Sequence, residues 1–149
     1  MKKLALLALS AIMVFALAAC TSANTPPADQ NIVTHENGTY RGSYVDGGGV
    51  QVAVEFTLED NVIAKINFRH LAYNGVDYLK DEAVDSLRQQ HQELIDHLLN
   101  KDIREALADL FNPTDIVETQ VDGFTSATLR VGKIISAIRD ALNRGVYRY

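Results

Sequence analysis

The residues best placed to do chemistry form one short segment, Asp122-Gly123-Phe124-Thr125-Ser126-Ala127-Thr128. It lies between a predicted strand and the last predicted helix. One interpretation is a turn followed by a helix cap, in which Thr125 or Ser126 accepts the first free N–H groups. The other is an anion site, because a helix start combines unpaired N–H groups with partial positive charge. A phosphate carried on Thr128 would then lie in the first turn, within reach of those groups.

The four histidines give no expected metal site. His91 and His97 lie six residues apart on opposite sides of one predicted helix, and His35 and His70 are distant in sequence. Glu93 and His97 share a helix face, but two ligands on a polar surface are typical of a solvated pair. The chain also has no Gly-x-Ser-x-Gly motif and no Gly-rich phosphate loop with a following lysine. The sequence therefore gives no support to a stand-alone hydrolase or transferase.

The length and charge of the chain further restrict the classes of function that it could have. The chain has 149 residues, of which 14 are basic and 19 acidic, so its net charge is -5. It has room for one small domain. No Lys/Arg cluster follows the spacing of a phosphate backbone, so nucleic acid is not an expected partner. The lone Cys20 can form neither an internal disulfide nor a Cys-based zinc site.

The N-terminus has the pattern of a secretion signal. Two lysines precede an apolar run over residues 4–17, which is shorter than the roughly 20 residues that span a bilayer. The Leu-Ala-Ala-Cys sequence that ends at Cys20 resembles a bacterial lipobox. That resemblance implies cleavage before Cys20, diacylglycerol on its sulfur and a fatty acyl group such as palmitate on its new amino group. The alternative is a plain secretory signal or membrane anchor with an incidental cysteine.

We therefore expect three regions. Residues 1–19 are a lipoprotein signal peptide, residues 20–36 are the lipidated cysteine and a polar, Pro-containing tether, and residues 37–149 are the folded domain. Two or more acyl chains hold a protein firmly on a membrane. The expected location is the cell envelope, with the protein lipid-anchored on the extracytoplasmic side. Removal of residues 1–19 leaves 12 basic and 19 acidic residues, a net charge of -7.

The first half of the domain has a strand pattern. Residues 39–45 are a plausible first strand, and residues 46–49, Asp-Gly-Gly-Gly, are a strong turn signal. Apolar and polar residues then alternate through residues 50–59 and, after a second turn, through residues 62–68. This pattern predicts an antiparallel meander with one apolar face that needs a cover.

The second half has a helix pattern. Apolar residues at helical spacing predict an amphipathic helix over residues 78–99. Asp102 and Glu105 have capping-box spacing and predict the start of a short helix, which Pro113 ends.

Two further elements complete the predicted fold. Ile116 and Val117 are a candidate short strand, and a last helix is predicted over residues 127–143, with Gly145 ending it. The predicted fold class is α+β, an antiparallel β-meander covered on one face by two or three helices.

The segment that ends at Thr128 resembles the attachment motif of the FMN-binding domain family. This family includes flavin-carrying domains of the sodium-pumping NADH:quinone oxidoreductase and of Rnf complexes, and many lipoproteins of extracytoplasmic electron transport. Its motif is Asp-x-x-Ser/Thr-Gly-Ala-Thr. Asp122, Thr125, Ala127 and Thr128 match that motif, whereas Ser126 stands where the family has glycine.

The resemblance extends beyond the motif. Residues 37–42, Asn-Gly-Thr-Tyr-Arg-Gly, are similar to the family's Asp-Gly-x-Tyr-x-Gly opening. The meander, the helices and the motif then follow in the family's order over residues 37–144.

The resemblance implies covalent FMN, joined through its phosphate to Thr128 by a flavin transferase. The cofactor-binding residues would be Thr128, Asp122, Gly123, Phe124, Thr125, Ser126, Ala127 and Tyr73. Tyr40, Tyr73, Tyr78 and Phe124 are candidates for the wall that the flavin ring needs, with Phe124 and Tyr73 preferred. The ring would carry the redox chemistry, and the protein would supply position and electrostatics.

The implied function is that of a membrane-anchored, extracytoplasmic electron-transfer flavoprotein. Its partners would be a membrane redox complex or another extracytoplasmic electron carrier, and a separate reductase is a further possible recipient of its electrons. The alternative from another class is a non-redox lipoprotein module of the cell envelope, in which Thr128 is unmodified and the same fold binds a partner.

Overall fold

The computed structural model describes residues 33–119 and 129–149. The chain divides after residue 32, and the described residues belong to the second unit, Val33–Tyr149. Its elements in chain order are β1 (Gly38–Asp46), β2 (Gly49–Glu59), β3 (Val62–Tyr73), β4 (Val76–Asp77), α1 (Asp85–Asp96), α2 (Ile103–Asp109) and α3 (Val131–Arg144). The predicted signal peptide and Cys20 lie outside the described residues.

The strands form one antiparallel sheet in the order β1-β2-β3-β4. In β2, alternate side chains enter the core, as the period-two pattern predicts. These buried residues are Val52, Val54, Phe56 and Leu58. Tyr40 of β1 pairs with Phe56 in register, and their rings stack at 5.3 Å between centroids. The predicted meander is confirmed.

The third strand is longer than predicted. It continues to Tyr73, five residues past the predicted end, and turns through Asn74 and Gly75 into the two-residue strand β4. The alternation breaks at two places, because Leu58 pairs with Ile63 while Thr57 pairs with Lys65, and Val54 pairs with Phe68 while Ala53 pairs with His70, which leaves two extra residues in β3. Ile63 is buried and Ala64 exposed, so the predicted alternation over residues 62–68 is only partly confirmed. Such a bulge hides the second half of a strand from a periodicity argument.

Helices cover one face of the sheet. α3 packs against β1 and β2, and α1 packs against β3. The contact with β1 requires a glycine, since a Cβ on Gly42 would lie 2.2 Å from the Ala137 carbonyl oxygen and 2.3 Å from the Ala141 nitrogen. The Asp140 carboxylate accepts the Ser43 N–H at 2.8 Å, which occupies part of the outer edge of β1. The predicted α+β class is confirmed.

The first predicted helix is too long at both ends. α1 spans Asp85–Asp96, after a 3₁₀ turn at Glu82–Val84, and not residues 78–99. Two side chains divert the preceding backbone, because Asp77 accepts the Leu79 N–H and Asp81 accepts the Ala83 N–H. Aspartates that bond their own backbone in this way stop a helix from starting earlier.

The short second helix is confirmed at its start, where Asp102 is the cap, but it ends at Asp109, before the predicted end at Pro113. The Asp102 side chain accepts the Arg104 N–H at 2.9 Å. Hydrogen bonding to the Arg104 guanidinium lowers the pKa of Asp102 to about 2.

The predicted strand at Ile116 and Val117 is wrong. A 3₁₀ turn at Pro113–Asp115 precedes it, and the N–H groups of Ile116 and Val117 both donate to the Pro113 carbonyl. Those donors are therefore used within a local turn and do not pair with a neighbouring strand.

The last helix starts later than predicted. α3 begins at Val131, not at residue 127, and Arg130 before it has a left-handed backbone with φ 49° and ψ 38°. Thr128, which is predicted to lie in the first turn of this helix, lies outside the described residues. The predicted end at Gly145 is confirmed. Within the described ranges, no helix has the length and apolar character needed to cross a bilayer.

One end of the sheet, called the closed end, comprises residues 35–40, 60–63 and 146–149. There the Asn37 side-chain amide donates to Asp60 at 3.2 Å, and its oxygen accepts the Asp60 N–H at 2.7 Å. The Tyr147 N–H donates to the Thr39 carbonyl at 2.7 Å, so the C-terminal segment lies along the edge of β1. Polar groups at the closed end thus pair with one another.

Candidate functional site

The opposite end of the sheet, called the site end, comprises residues 44–51, 72–78 and 129–133. It includes Tyr73, which is the one predicted cofactor-binding residue that the structure describes. The predicted residues 122–128 lie outside the described residues, and their roles stay predictions. Thr119 and Leu129 are the described residues on either side of them.

Tyr73 ends β3 and lies under an arginine. The Arg130 guanidinium carbon is 3.0 Å from the centre of the Tyr73 ring and 5.9 Å from the centre of the Tyr78 ring. A left-handed backbone costs a non-glycine residue about 1–2 kcal/mol, so the surrounding structure must hold Arg130 in this position. Backbone strain of this kind is concentrated at binding sites and switch regions.

A second cation, Lys133, lies in the first turn of α3. Its Nζ is 3.3 Å from an Asp46 carboxylate oxygen and also bonds the Gln51 side-chain oxygen. The same Nζ is 5.3 Å from the centre of the Tyr44 ring and 5.5 Å from that of Tyr73. Two tyrosine rings therefore lie within reach of this charge.

The charges at the start of α3 favour a negatively charged ligand. The first turn has no acidic residue. Arg130 and Lys133 add positive charge to a helix end that is already partly positive. In the described part of the chain, the carboxylate paired with Lys133 belongs to Asp46, which is half exposed. An anion such as a phosphate would stabilise this arrangement.

The segment before residue 120 is fastened to α1 by Glu93. Its carboxylate accepts the Glu118 N–H at 2.7 Å, the Thr119 N–H at 3.2 Å and the Thr119 hydroxyl. Burial alone would raise the pKa of Glu93, but these hydrogen bonds outweigh it and lower the pKa. Gln90 adds a bond from its side-chain amide to the Thr119 carbonyl at 2.8 Å. We call these contacts the α1 clasp.

His91 is buried beside the clasp as a neutral imidazole. Its Nδ1 is 2.6 Å from the Leu87 carbonyl oxygen, which can only accept, so Nδ1 carries the proton. Burial lowers the pKa of His91, and the positive charge of Arg130 lowers it further. Nε2 is then an acceptor. Among the described residues, neither His91 Nε2 nor the Gln90 side-chain oxygen has a hydrogen-bond partner.

A cleft opens between the two turns of the site end. It encloses about 250 Å³ between the β1–β2 turn and the β3–β4 turn, and we call it the hairpin cleft. Its lining comprises Asp46, Gly47, Gly49, Val50, Gln51, Ala72, Tyr73, Asn74 and Gly75. Both cations touch its walls, since Arg130 contacts Tyr73 and Lys133 contacts Asp46 and Gln51.

Another cavity, beside α2, is chemically different. It encloses about 280 Å³, and its lining comprises Lys101, Asp102, Glu105, Ala106 and Asp109. Three carboxylates against one lysine disfavour a phosphate. Across residues 33–119 and 129–149, no group of three His, Cys, Asp or Glu side chains could hold a metal ion.

The other aromatic candidates divide between the two ends. Tyr40 is buried in the core at the closed end, where its hydroxyl donates to the Glu36 carbonyl at 2.6 Å. Tyr40 is therefore not a wall of the site. Tyr78 is buried at the site end, and its ring centre is 5.7 Å from that of His91. Phe124 lies outside the described residues.

Comparisons with known proteins provide no relative from which a function could be transferred. The chain matched no model of a protein family, no curated protein and no solved structure. The described residues and the sequence motif are therefore the basis for assigning a function.

Proposed function

We propose that this protein is a membrane-anchored, extracytoplasmic electron-transfer flavoprotein that carries FMN in phosphoester linkage to Thr128. The observation that carries the proposal is the contact of Arg130 with Tyr73, with Lys133 close by, directly after the motif. Cations beside an aromatic ring suit a ligand that has both a phosphate and a flat ring.

Covalent connection brings the proposed acceptor close to these groups. Thr128 is bonded to Leu129, which is buried, and Arg130 follows. Consecutive Cα atoms are about 3.8 Å apart, so a phosphate on Thr128 starts within a few residues' reach of the Arg130 and Lys133 charges. Both cations would offset its negative charge.

The α1 clasp restricts the other side of the motif. Nine residues separate Thr119, which Glu93 and Gln90 hold, from Leu129 in the core. A chain fixed at both ends has fewer conformations than one fixed at a single end. The clasp therefore supports presentation of the motif on one part of the surface, where a transferase would act.

The chemistry divides simply between protein and cofactor. FMN, when bound, accepts and releases electrons one or two at a time. The chain supplies the attachment point, positive charge from Arg130 and Lys133, and an aromatic surface from Tyr73. We propose a flavin transferase as the maturation partner, and a membrane redox complex or another extracytoplasmic carrier as the electron partner. A lipid on Cys20 would hold the protein at the membrane.

Mass spectrometry of the full-length chain tests the proposal. The chain is expressed for export with and without an active flavin transferase, and its intact mass and visible spectrum are recorded. We expect a gain of one FMN less one water, dependent on the transferase and mapped by peptide analysis to Thr128.

Single substitutions then identify the attachment residue. Thr128→Ala should abolish the covalent flavin, whereas Thr114→Ala, a matched loss of an exposed threonine hydroxyl outside the motif, should retain Thr128 as a modified residue. A colourless wild-type chain, produced beside a control substrate that the transferase does modify, would overturn the proposal. In that case the non-redox binding module is the better interpretation.

A further inference from the structure

We infer that the hairpin cleft is the binding site for the isoalloxazine ring of the flavin. This inference rests on the proposed function, because it assigns a place to the ring of a cofactor attached at Thr128. It concerns the described residues of the two turns and of α3.

The size and lining of the cleft suit a flat aromatic ring. A volume of about 250 Å³ accommodates a fused ring system, and such sites are mostly apolar with a few polar groups. Tyr73, Val50 and Ala72 provide apolar surface, while Gln51 and Asn74 provide side-chain amides. Tyr73 adds an aromatic wall, and the Arg130 guanidinium lies over one face of its ring.

The glycines of the cleft allow close approach of a ligand to the backbone. A Cβ built on Gly47, Gly49 or Gly75 would meet no described atom within 4 Å. Gly47 and Gly75 are needed for their positive φ, but Gly49 lies outside that region. The turn therefore does not require a glycine at position 49, and a ligand in the cleft could approach the backbone there.

Apolar side chains at the same turn are exposed without a described cover. Val45 is 56% exposed and Val50 is 44% exposed, although they are paired valines in adjacent strands. A flat ring in the hairpin cleft would remove apolar surface of Val50 from water, which is favourable by about 25 cal/mol per Å².

The cations beside the hairpin cleft affect the reduction potential of a flavin ring bound there. Lys133 bonds Gln51 and Asp46 of the cleft wall, and Arg130 lies over Tyr73. A ring that gains electrons gains negative charge, which nearby positive charge stabilises. The Asp46 carboxylate, which lines the cleft and pairs with Lys133, opposes this effect, so the reduction potential of the flavin depends on Arg130 and on the Lys133–Asp46 pair together.

The first test fills the cleft without disturbing the fold. Gly49→Leu adds a bulky apolar side chain where the backbone permits one, and Ala64→Leu, a new leucine at an exposed position of β3 outside the cleft, is the matched control. Both variants should carry covalent FMN, as measured by intact mass, since attachment involves the phosphate. In Gly49→Leu the ring should lose its visible circular dichroism, and acrylamide should quench its fluorescence severalfold more strongly than in wild type or Ala64→Leu.

A second variant keeps the inference testable should Gly49→Leu fold poorly. Val50→Glu places a carboxylate on the cleft wall at an exposed position, and it should lower the flavin reduction potential. Val33→Glu, a matched change at another exposed valine, should leave the potential unchanged. Flavin-loaded Gly49→Leu and Val50→Glu proteins with wild-type dichroism, quenching and potential would overturn the ring site alone. Absence of flavin from the wild-type chain would overturn the proposed function and the ring site together.

Discussion

The closed end and the site end are built from the same three long strands, yet they treat polar groups differently. At the closed end, Asn37 and Asp60 exchange two hydrogen bonds, and the His35 N–H donates to the Asn61 side chain at 2.7 Å. Beside the site end, where the His91 ring centre is 5.7 Å from that of Tyr78, His91 Nε2 and the Gln90 side-chain oxygen are buried without a partner among the described residues. Polar groups of the closed end therefore pair within the described residues, whereas these two buried atoms do not.

The two ends also differ in the partners of their charged side chains. Arg148 of the closed end pairs with Glu36 at 2.8 Å and 3.0 Å, and both side chains are exposed. At the site end, Arg130 faces an aromatic ring, and Lys133 Nζ bonds both the exposed carboxylate of Asp46 and the side-chain oxygen of Gln51. In a chain with an excess of acidic residues, this local positive charge is the feature that most needs a function.

The largest effect should come from the glycine that the whole sheet shares with α3. Gly42→Leu drives a side chain into the backbone of Ala137 and Ala141, and we expect a loss of about 3 kcal/mol or more in the free energy of unfolding. Gly49→Leu at the open turn is the matched control and should change it by less than about 1 kcal/mol. Urea unfolding followed by circular dichroism measures both. Equal losses would show that the site-end glycine is packed, and the contrast between the ends would fail.

The α1 clasp should give the next largest effect. Glu93→Ala removes the acceptor of three hydrogen bonds. A hydrogen bond to a charged acceptor contributes about 1.5–3 kcal/mol, but water can bond the released donors and offset part of the loss. We expect a net loss of about 2 kcal/mol and faster hydrogen exchange at the Glu118 and Thr119 amides. Asp96→Ala, at an exposed carboxylate on the same helix, should change neither by a measurable amount. Unchanged exchange in the Glu93 variant would mean that other contacts hold this segment.

Sequence reasoning predicted the scaffold better than the site. Alternation in β2 and the helical stripe of α3 are local patterns, and both survive because each buries one face against the other. β4 and the end of β3 were missed because a bulge near Arg69 reverses which side chains face inward. The helix over residues 78–99 was predicted too long because the Asp77 and Asp81 carboxylates bond backbone N–H groups of the approach.

The site residues that were missed depend on contacts between distant segments. Helical spacing relates Glu93 only to His97 on its own helix. Its hydrogen-bond partners are Glu118 and Thr119, which lie 25 and 26 residues away in sequence. His91 carried a usable signal, since it lies between Leu87 and Leu94 on the apolar stripe of α1. A histidine at that position of the helix is predicted to be buried. Its buried ring nitrogens are the reason to count it among the residues of the candidate site.

His91 should make stability depend on pH. Its pKa is lowered in the folded protein from about 6.5, so the neutral form contributes stability that is fully present above pH 6.5. That stability is lost as pH falls, by up to about 1.4 kcal/mol per pH unit until the folded-state pKa is reached. His91→Phe and His91→Gln should both remove this part of the dependence between about pH 7.5 and 5, as measured by urea unfolding. A His91→Gln profile parallel to that of wild type would mean that the imidazole does not titrate as a buried group.

The smallest effect should come from the ion pair of the closed end. Arg148 and Glu36 are close in distance, but water competes for both groups and the two long side chains lose rotamer freedom when they pair. Arg148→Ala should therefore change the free energy of unfolding by less than about 0.5 kcal/mol, and added salt should not alter that difference. The backbone bond from Tyr147 to Thr39 and the contact of the Arg41 guanidinium with the Tyr147 ring, both of which this substitution leaves in place, fasten the C-terminal segment to β1. A loss above about 1 kcal/mol would show that the charged pair helps to close this end. Paired charged groups would then contribute stability at the closed end.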